Sequence, residues 1–174
     1  MTVASKDKAR NAETLLGRSL NERGLLMKRE FRDFGDIKTT YAGVLSVKTL
    51  VISFPKSDSS KKIYGVKVEQ EETNGYDESA FLDFDELEEL LRAMKYLYEV
   101  AGSDHESGSD YTELQYSTKG EVVVGFYRTT DGMIHSYFDV EPGGEMLFLS
   151  QPQFREIFSA IKHAYSYLVE LGAE

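Results

Sequence analysis

No cysteine occurs in this chain, so disulfides, zinc–thiolate sites, iron–sulfur ligation and thiol nucleophiles are excluded together. That absence leaves the compartment open, because exported proteins can lack cysteine too. Long apolar runs are missing as well. Nothing approaches the roughly 18 residues of a membrane span, and the opening MTVASKDKARNAETLL has no apolar centre of the signal-peptide kind. The chain therefore reads as soluble and without a membrane partner, with the cytoplasm slightly favoured; an exported protein trimmed of its signal would look the same. Positive charge is the third scarcity. Against 30 Asp and Glu stand 20 Lys and Arg, a formal charge of −10. The deficit is uneven: residues 1–40 hold nine basic and six acidic side chains, a net +3, which leaves −13 for the rest. Between Lys67 and Arg92 there is no Lys or Arg, while Glu69, Glu71, Glu72, Asp77, Glu78, Asp83, Asp85, Glu86, Glu88 and Glu89 follow one another. Such a surface repels polyanions, since binding to phosphates depends on Lys and Arg displacing counterions, and otherwise keeps a small protein solvated.

What is present is a repeated pattern. At 174 residues the chain can bury roughly 70% of its unfolded surface as one domain or two packed halves. Residues 5–23 place Ala9, Ala12, Leu16 and Leu20 at helical spacing with Leu15 alongside, and Gly24 ends the pattern. LLMKREFRDFGDI (25–37) reads as a strand whose faces are poorly sorted. YAGVLSVKTLVISFP and KKIYGVKVEQ form a hairpin around SDSS, SAFLDF is a short strand, and Asp83 or Asp85 caps a helix 85–101 closed by Gly102. GSDHESGSD (102–110) is a linker. Then YTELQYSTKG, EVVVGFYR, MIHSYFDV and EMLFLS are strands, followed by a helix from about 152 to 171 with Pro152 in its first turn and Gly172 behind it.

Both halves spell four strands and a helix. A constant offset of 67 pairs Leu87 with Phe154, Leu90 with Ile157, Leu91 with Phe158 and Met94 with Ile161, and it carries Phe81–Leu82 onto Phe148–Leu149. With the longer loop at 70–79 allowed, Val66–Lys67–Val68–Glu69 matches Phe138–Asp139–Val140–Glu141. The expected architecture is α+β: a tandem of two ββββα repeats, antiparallel sheets packed on helices, with an N-terminal arm or short helix at 1–24, units at 25–101 and 111–174, and the linker at 102–110.

The faces of the second hairpin follow from its turn. A three-residue loop of Thr130, Asp131 and Gly132, with Gly132 left-handed, pairs Val124 with Phe138 and Tyr127 with His135. That register sends Val122, Val124, Phe126, Ile134, Phe138 and Val140 toward the helix. Val123, Tyr127, His135, Tyr137 and Asp139 fall on the opposite face. A two-residue loop would mix apolar and polar side chains on both.

Two tandem ββββα units, with the joints AFLDFDELEELL and LFLSQPQFREIF, resemble over residues 25–171 the single-stranded nucleic-acid-binding fold of the transcriptional positive cofactor four, the plant Whirly proteins and the PUR-repeat proteins. The resemblance implies curved sheets whose exposed aromatic and basic residues stack bases and hold phosphates. Lys67, Tyr127, His135 and Tyr137 would occupy such an exposed face here.

Other chemistry finds little footing. His105, His135 and His163 lack the spacing that puts two imidazoles on one metal, and Asp104, Glu106 and Asp110 lack the EF-hand order. There is no phosphate loop, nucleophile elbow or dinucleotide fingerprint. Tyr96, Tyr98, Tyr165 and Tyr167 sit near helix ends, where a ring is buried and its hydroxyl stays wet. No catalytic residue, metal or cofactor is expected. The first expectation is a non-enzymatic module that binds a protein partner or itself; the alternative is a single-stranded nucleic-acid binder using the sheet face opposite the helices, disfavoured by the acidic charge.

Overall fold

The computed structural model describes residues 12–39, 43–56, 61–71, 77–103 and 110–174. Their elements are α1 (Leu15–Leu20), β1 (Lys28–Lys38), β2 (Val44–Ser53), β3 (Lys62–Glu71), β4 (Asp77–Asp83), α2 (Phe84–Ala101), β5 (Thr112–Ser117), β6 (Val123–Arg128), β7 (Ile134–Asp139), β8 (Leu147–Leu149) and α3 (Gln151–Glu170). Two four-stranded antiparallel sheets have the same order, β1-β2-β3-β4 and β5-β6-β7-β8, and each is followed by a helix. This is the α+β tandem that the repeat predicts.

The core explains why two copies are needed. In the first sheet Val47 pairs with Val68 and Thr49 with Val66, and the face carrying them is closed by helices. Each helix serves both sheets: α2 packs on β3 and β4 and also on β5 and β6, while α3 packs on β7 and β8 and also on β1, β2 and β3. Leu90, Met94, Ile157 and Ile161 therefore share one core cluster with valines of both sheets. One unit alone would leave that apolar face wet. Gln70 Nε2 donates to the Glu145 carbonyl at 2.7 Å, and the Tyr64 hydroxyl to the Leu171 carbonyl at 3.3 Å, so polar contacts also cross between the halves.

Local chemistry sets the boundaries, with some corrections. Asp83 is the N-cap of α2, so the helix begins at Phe84; Glu86 Oε1 accepts from the Asp83 amide at 2.9 Å. Helix α3 begins at Gln151 behind a Ser150–Gln153 capping box, which puts Pro152 second in the helix. Gly172 has φ +88°, the left-handed residue expected behind a helix, whereas Gly102 stays right-handed at φ −80°. Helix α1 is only six residues long, capped by the Thr14 hydroxyl and ended at Asn21 rather than Gly24. Residues 1–11, including Ala9, lie outside the described residues, as do His105, Asp104 and Glu106.

Strand β1 hides its faces because of a bulge. Its register runs Asp33↔Lys48 and then Asp36↔Ser46, with Gly35 at φ +129° absorbing the extra residue. Side-chain parity flips there, so no single period-2 pattern can fit. The second hairpin adopts the sorted register: Val124 pairs with Phe138 and Tyr127 with His135, and Gly132 has φ +79°. Ile134, however, lies at the hairpin tip and stays 36% exposed. At the helix ends Tyr98 stacks on Phe154, Tyr165 on Phe84, and Tyr167 meets Phe34, while Tyr96 is exposed.

Candidate binding face on the second sheet

Each sheet turns one face to the helices and one away. On the first sheet the outer face carries Leu50, Ile52, Ile63 and Phe81, and α1 closes it. Leu16 is fully buried there, its Cδ1 so near Gly65 that a Cβ on that glycine would lie 2.4 Å away. The Asp83 carboxylate holds the start of α1, accepting from the Leu15 amide at 2.7 Å and the Leu16 amide at 3.0 Å. Those are helix amides with no partner of their own, and an anion suits them. Next to it Glu86 Oε2 accepts from the Lys119 amide at 2.9 Å, and the Lys119 ammonium reaches Asp85 at 2.7 Å. Burial pushes the Glu86 carboxyl above its ordinary value, with the two backbone donors pulling the other way. Part of the acidic run thus anchors structure: Arg92 also bridges Glu88 and Glu89.

Lys67 lies on this first sheet, away from the other candidates. It pairs with Glu69, whose other oxygen takes Lys48 Nζ at 2.6 Å. Burial works to raise the Glu69 carboxyl, but the hydrogen bonds from Lys48 and Lys67 outweigh it and hold it below its usual value; the same bond raises Lys48.

The second sheet has no covering helix among the described residues. Its outer face is built in rows across the strands: Glu113, Tyr127 and His135 in one, then Gln115, Gly125, Tyr137 and Phe148 in the next. Gly125 leaves a gap in that second row, and the Tyr137 ring lies across it; a Cβ on Gly125 would sit 2.8 Å from the Tyr137 hydroxyl oxygen. The hydroxyl thereby reaches β5, donating to Glu113 Oε1 at 2.8 Å with the Gln115 side-chain oxygen 3.0 Å away. Tyr137 is consequently buried, 1% exposed, and not the open platform residue that alternation suggested. Its burial, helped by the Glu113 carboxylate, raises the phenol far above its ordinary range.

Above Tyr137 sits the open layer. The Tyr127 ring is the hub: His135 stacks on it at 4.9 Å between centroids, Tyr111 at 5.9 Å, Phe148 meets it edge-on at 6.3 Å, and Tyr137 tilts against it at 6.4 Å. These spacings are those of attractive ring pairs. Tyr111 is 55% exposed and Phe148 39%. Glu113 Oε2 also accepts from the Tyr111 hydroxyl at 3.2 Å, so two tyrosines hold the one carboxylate. Partial desolvation beside the neighbouring ring and the Glu113 carboxylate raise the Tyr111 phenol as well, although the ring itself is exposed. No Lys or Arg occupies an outer-face position of β5, β6, β7 or β8; the charges there are Glu113 and Asp139.

Of the four candidates, the structure brings Tyr127, His135 and Tyr137 together and leaves Lys67 apart. Tyr111, Glu113 and Phe148 were missed. The first two share the parity of Tyr127 once Glu113 is known to pair with it, a register that YTELQYSTKG does not reveal without its partner strand. Phe148 had its signal in the match to Phe81. Among the described residues no three His, Asp or Glu side chains converge as metal ligands, and no helix is long and apolar enough to cross a membrane. Set against protein-family models, curated proteins and solved structures, the chain finds no match in any of the three.

Proposed function

We propose that this chain is a non-catalytic binding module that docks a protein partner on the outer face of its second sheet, with self-association as the other form of the same reading. One observation carries it. Equivalent faces of the two sheets are treated differently: α1 covers Leu50, Ile52 and Phe81 on the first, while the second carries exposed Tyr111 and Phe148 around half-buried Tyr127 and His135. Solvent-facing aromatic clusters favour recognition, because rigid rings give large contact area at small entropic cost. The most buried carboxylates of the acidic run, Asp83 and Glu86, hold α1 and the β5–β6 turn, which supports a structural rather than an acid–base role for them.

The test is selection of displayed peptides on the intact protein, with Tyr127→Ala as the counter-selection. Sequences that bind the wild type and are lost on Tyr127→Ala support the reading. If no sequence distinguishes the two proteins and light scattering finds no self-association lost on Tyr127→Ala, the reading fails. A second reading, single-stranded nucleic acid stacked on the same rings, draws support from the Tyr111–Tyr127–His135 stack and meets opposition from the carboxylates on that face. An oligonucleotide of about 20 nucleotides is expected to show no salt-sensitive binding at or below about 1 μM. Fluorescence anisotropy finding such binding, abolished by Tyr127→Ala, would put the second reading first.

A further inference from the structure

Resting on the docking face just described, the geometry points to the chemistry of its occupant: we propose that the face takes an arginine side chain of a basic partner segment, its guanidinium laid on the Tyr127–Tyr111 rings and paired with the Glu113 carboxylate. The argument begins with Glu113. It stands on an edge strand at the margin of the rings, and each of its oxygens receives one tyrosine hydroxyl, Oε1 from Tyr137 and Oε2 from Tyr111. A carboxylate held at both oxygens cannot swing freely into water, so its remaining lone pairs are fixed in direction before any ligand arrives. Beside it is the Tyr111 ring, 55% exposed and tilted only 26° from the half-buried Tyr127 on which it stacks, so that its electron-rich surface continues the Tyr127–His135 stack. A flat cation that stacks on a ring and offers parallel donors to a carboxylate at the ring's edge satisfies both features at once. Guanidinium does so; ammonium, a point charge without a plane, satisfies only the charge.

Charge sorts the alternatives. No Lys or Arg stands on the outer face of β5, β6, β7 or β8, and the chain as a whole is −10. A second copy of the chain would bring the same negative charge to the same place, and phosphate would meet the Glu113 carboxylate on a face without Lys or Arg. A basic segment meets neither objection. The chain makes the same stack within itself: the Arg32 guanidinium lies 4.3 Å from the Tyr167 ring centre and 5.6 Å from that of Phe34.

The experiment compares three fluorescein-labelled peptides of glycine and serine carrying spaced arginines, lysines or citrullines, titrated by anisotropy against the full chain at moderate salt. The arginine peptide should bind. Citrulline, which keeps the plane and loses the charge, should abolish binding, and lysine should weaken it several-fold. Glu113→Gln, which leaves the exposed edge strand and an acceptor for Tyr137 in place, should weaken the arginine peptide at least about tenfold, and Tyr111→Ala, which removes an exposed ring, should do the same. Equal binding of arginine and lysine peptides, or indifference to both substitutions, would mean diffuse attraction to an acidic surface and would overturn the proposal. So would concentration-dependent self-association, measured by light scattering and lost on Tyr127→Ala. If peptide selection returns Tyr127-dependent sequences without arginine, the arginine inference falls while the docking face stands. If it returns none and no Tyr127-dependent self-association is seen, the docking reading itself falls.

Discussion

Asp83 is expected to decide whether α1 stays on the body. The residue is 5% exposed, and its carboxylate accepts from two helix amides, one buried and one partly buried. Hydrogen bonds to a charged group contribute about 1.5–3 kcal/mol each, and discounting the partly buried one puts their combined loss in Asp83→Ala at about 3 kcal/mol. A six-residue helix has almost no stability of its own. Stripped of its anchor, α1 should therefore detach as a unit and uncover Leu50, Ile52, Ile63 and Phe81. For a chain of this size the loss corresponds to a thermal midpoint lower by about 6–12 °C. Leu16→Ala, which removes the side chain seated on Gly65, should cost about 2–5 kcal/mol by the same route. Since each change frees the same element, the double variant should fall short of the summed losses by more than about 1 kcal/mol in urea titrations. Hydrogen exchange gives the local readout: the Leu15 and Leu16 amides should lose protection in Asp83→Ala while amides of β6 and β7 keep theirs. A midpoint lowered by less than about 2 °C, or losses that simply add, would refute the idea that Asp83 holds α1.

Three further outcomes are expected. Tyr137→Phe should cost about 1 kcal/mol and remove a late-titrating phenol from the ultraviolet alkaline titration; because the folded-state value is raised, the contribution is present below the unfolded phenol's pKa and fades as pH rises through the folded one, so the wild type's advantage should shrink in alkali. Gly125→Ala would put a Cβ 2.6 Å from the Leu114 carbonyl and 2.8 Å from the Tyr137 hydroxyl, and should cost about 1–3 kcal/mol with loss of the tyrosine signal in near-ultraviolet circular dichroism. Glu69, held below its usual value by two lysines, contributes stability present above its unfolded pKa and lost as pH falls through the folded one; Glu69→Gln should flatten the acid limb of the midpoint–pH curve by under about 1 kcal/mol, the pair being partly exposed.

The repeat was legible because helices and strands both announce themselves by period. The apolar stripe at Leu87, Leu90 and Met94 recurs at Phe154, Ile157 and Ile161, and all six are buried. The second hairpin was legible down to its register, since only one turn sorts its faces. What stayed hidden depends on pairing between segments far apart in the chain. Strand β1 was obscured by the bulge at Gly35, and the exchange of helices between sheets leaves no trace in either helix, each of which needs only one apolar stripe whichever sheet it meets. The acidic run read as a solvated face because nothing in its order reveals that Asp83 reaches Leu15 and Leu16 or that Glu86 reaches Lys119. In the candidate site, Tyr127 and His135 follow from hairpin parity alone. Tyr137 misled because alternation gives the face of a side chain and says nothing of a glycine beside it that lets the ring lie flat.

Duplication poses a problem that the two halves solve in different ways. An antiparallel sheet closed by helices on one side still carries apolar side chains on the other, and each unit must cover or tolerate them. In the first unit the position preceding Val66 is Gly65, and its missing side chain is the seat for Leu16 of α1. In the matching position before Phe138 stands Tyr137, which fills the space from within the sheet by lying over Gly125. The seat that Leu16 takes on Gly65 is therefore absent from the second sheet. The exchange also changes Phe81 and its counterpart Phe148 from 7% to 39% exposed. One unit therefore covers part of its outer face with a segment of the same chain, and the other fills the matching space from within the sheet. The Leu16–Gly65 contact that seats α1 on the first sheet has no counterpart on the second; the proposed arginine instead calls only for a ring surface and the carboxylate that borders it.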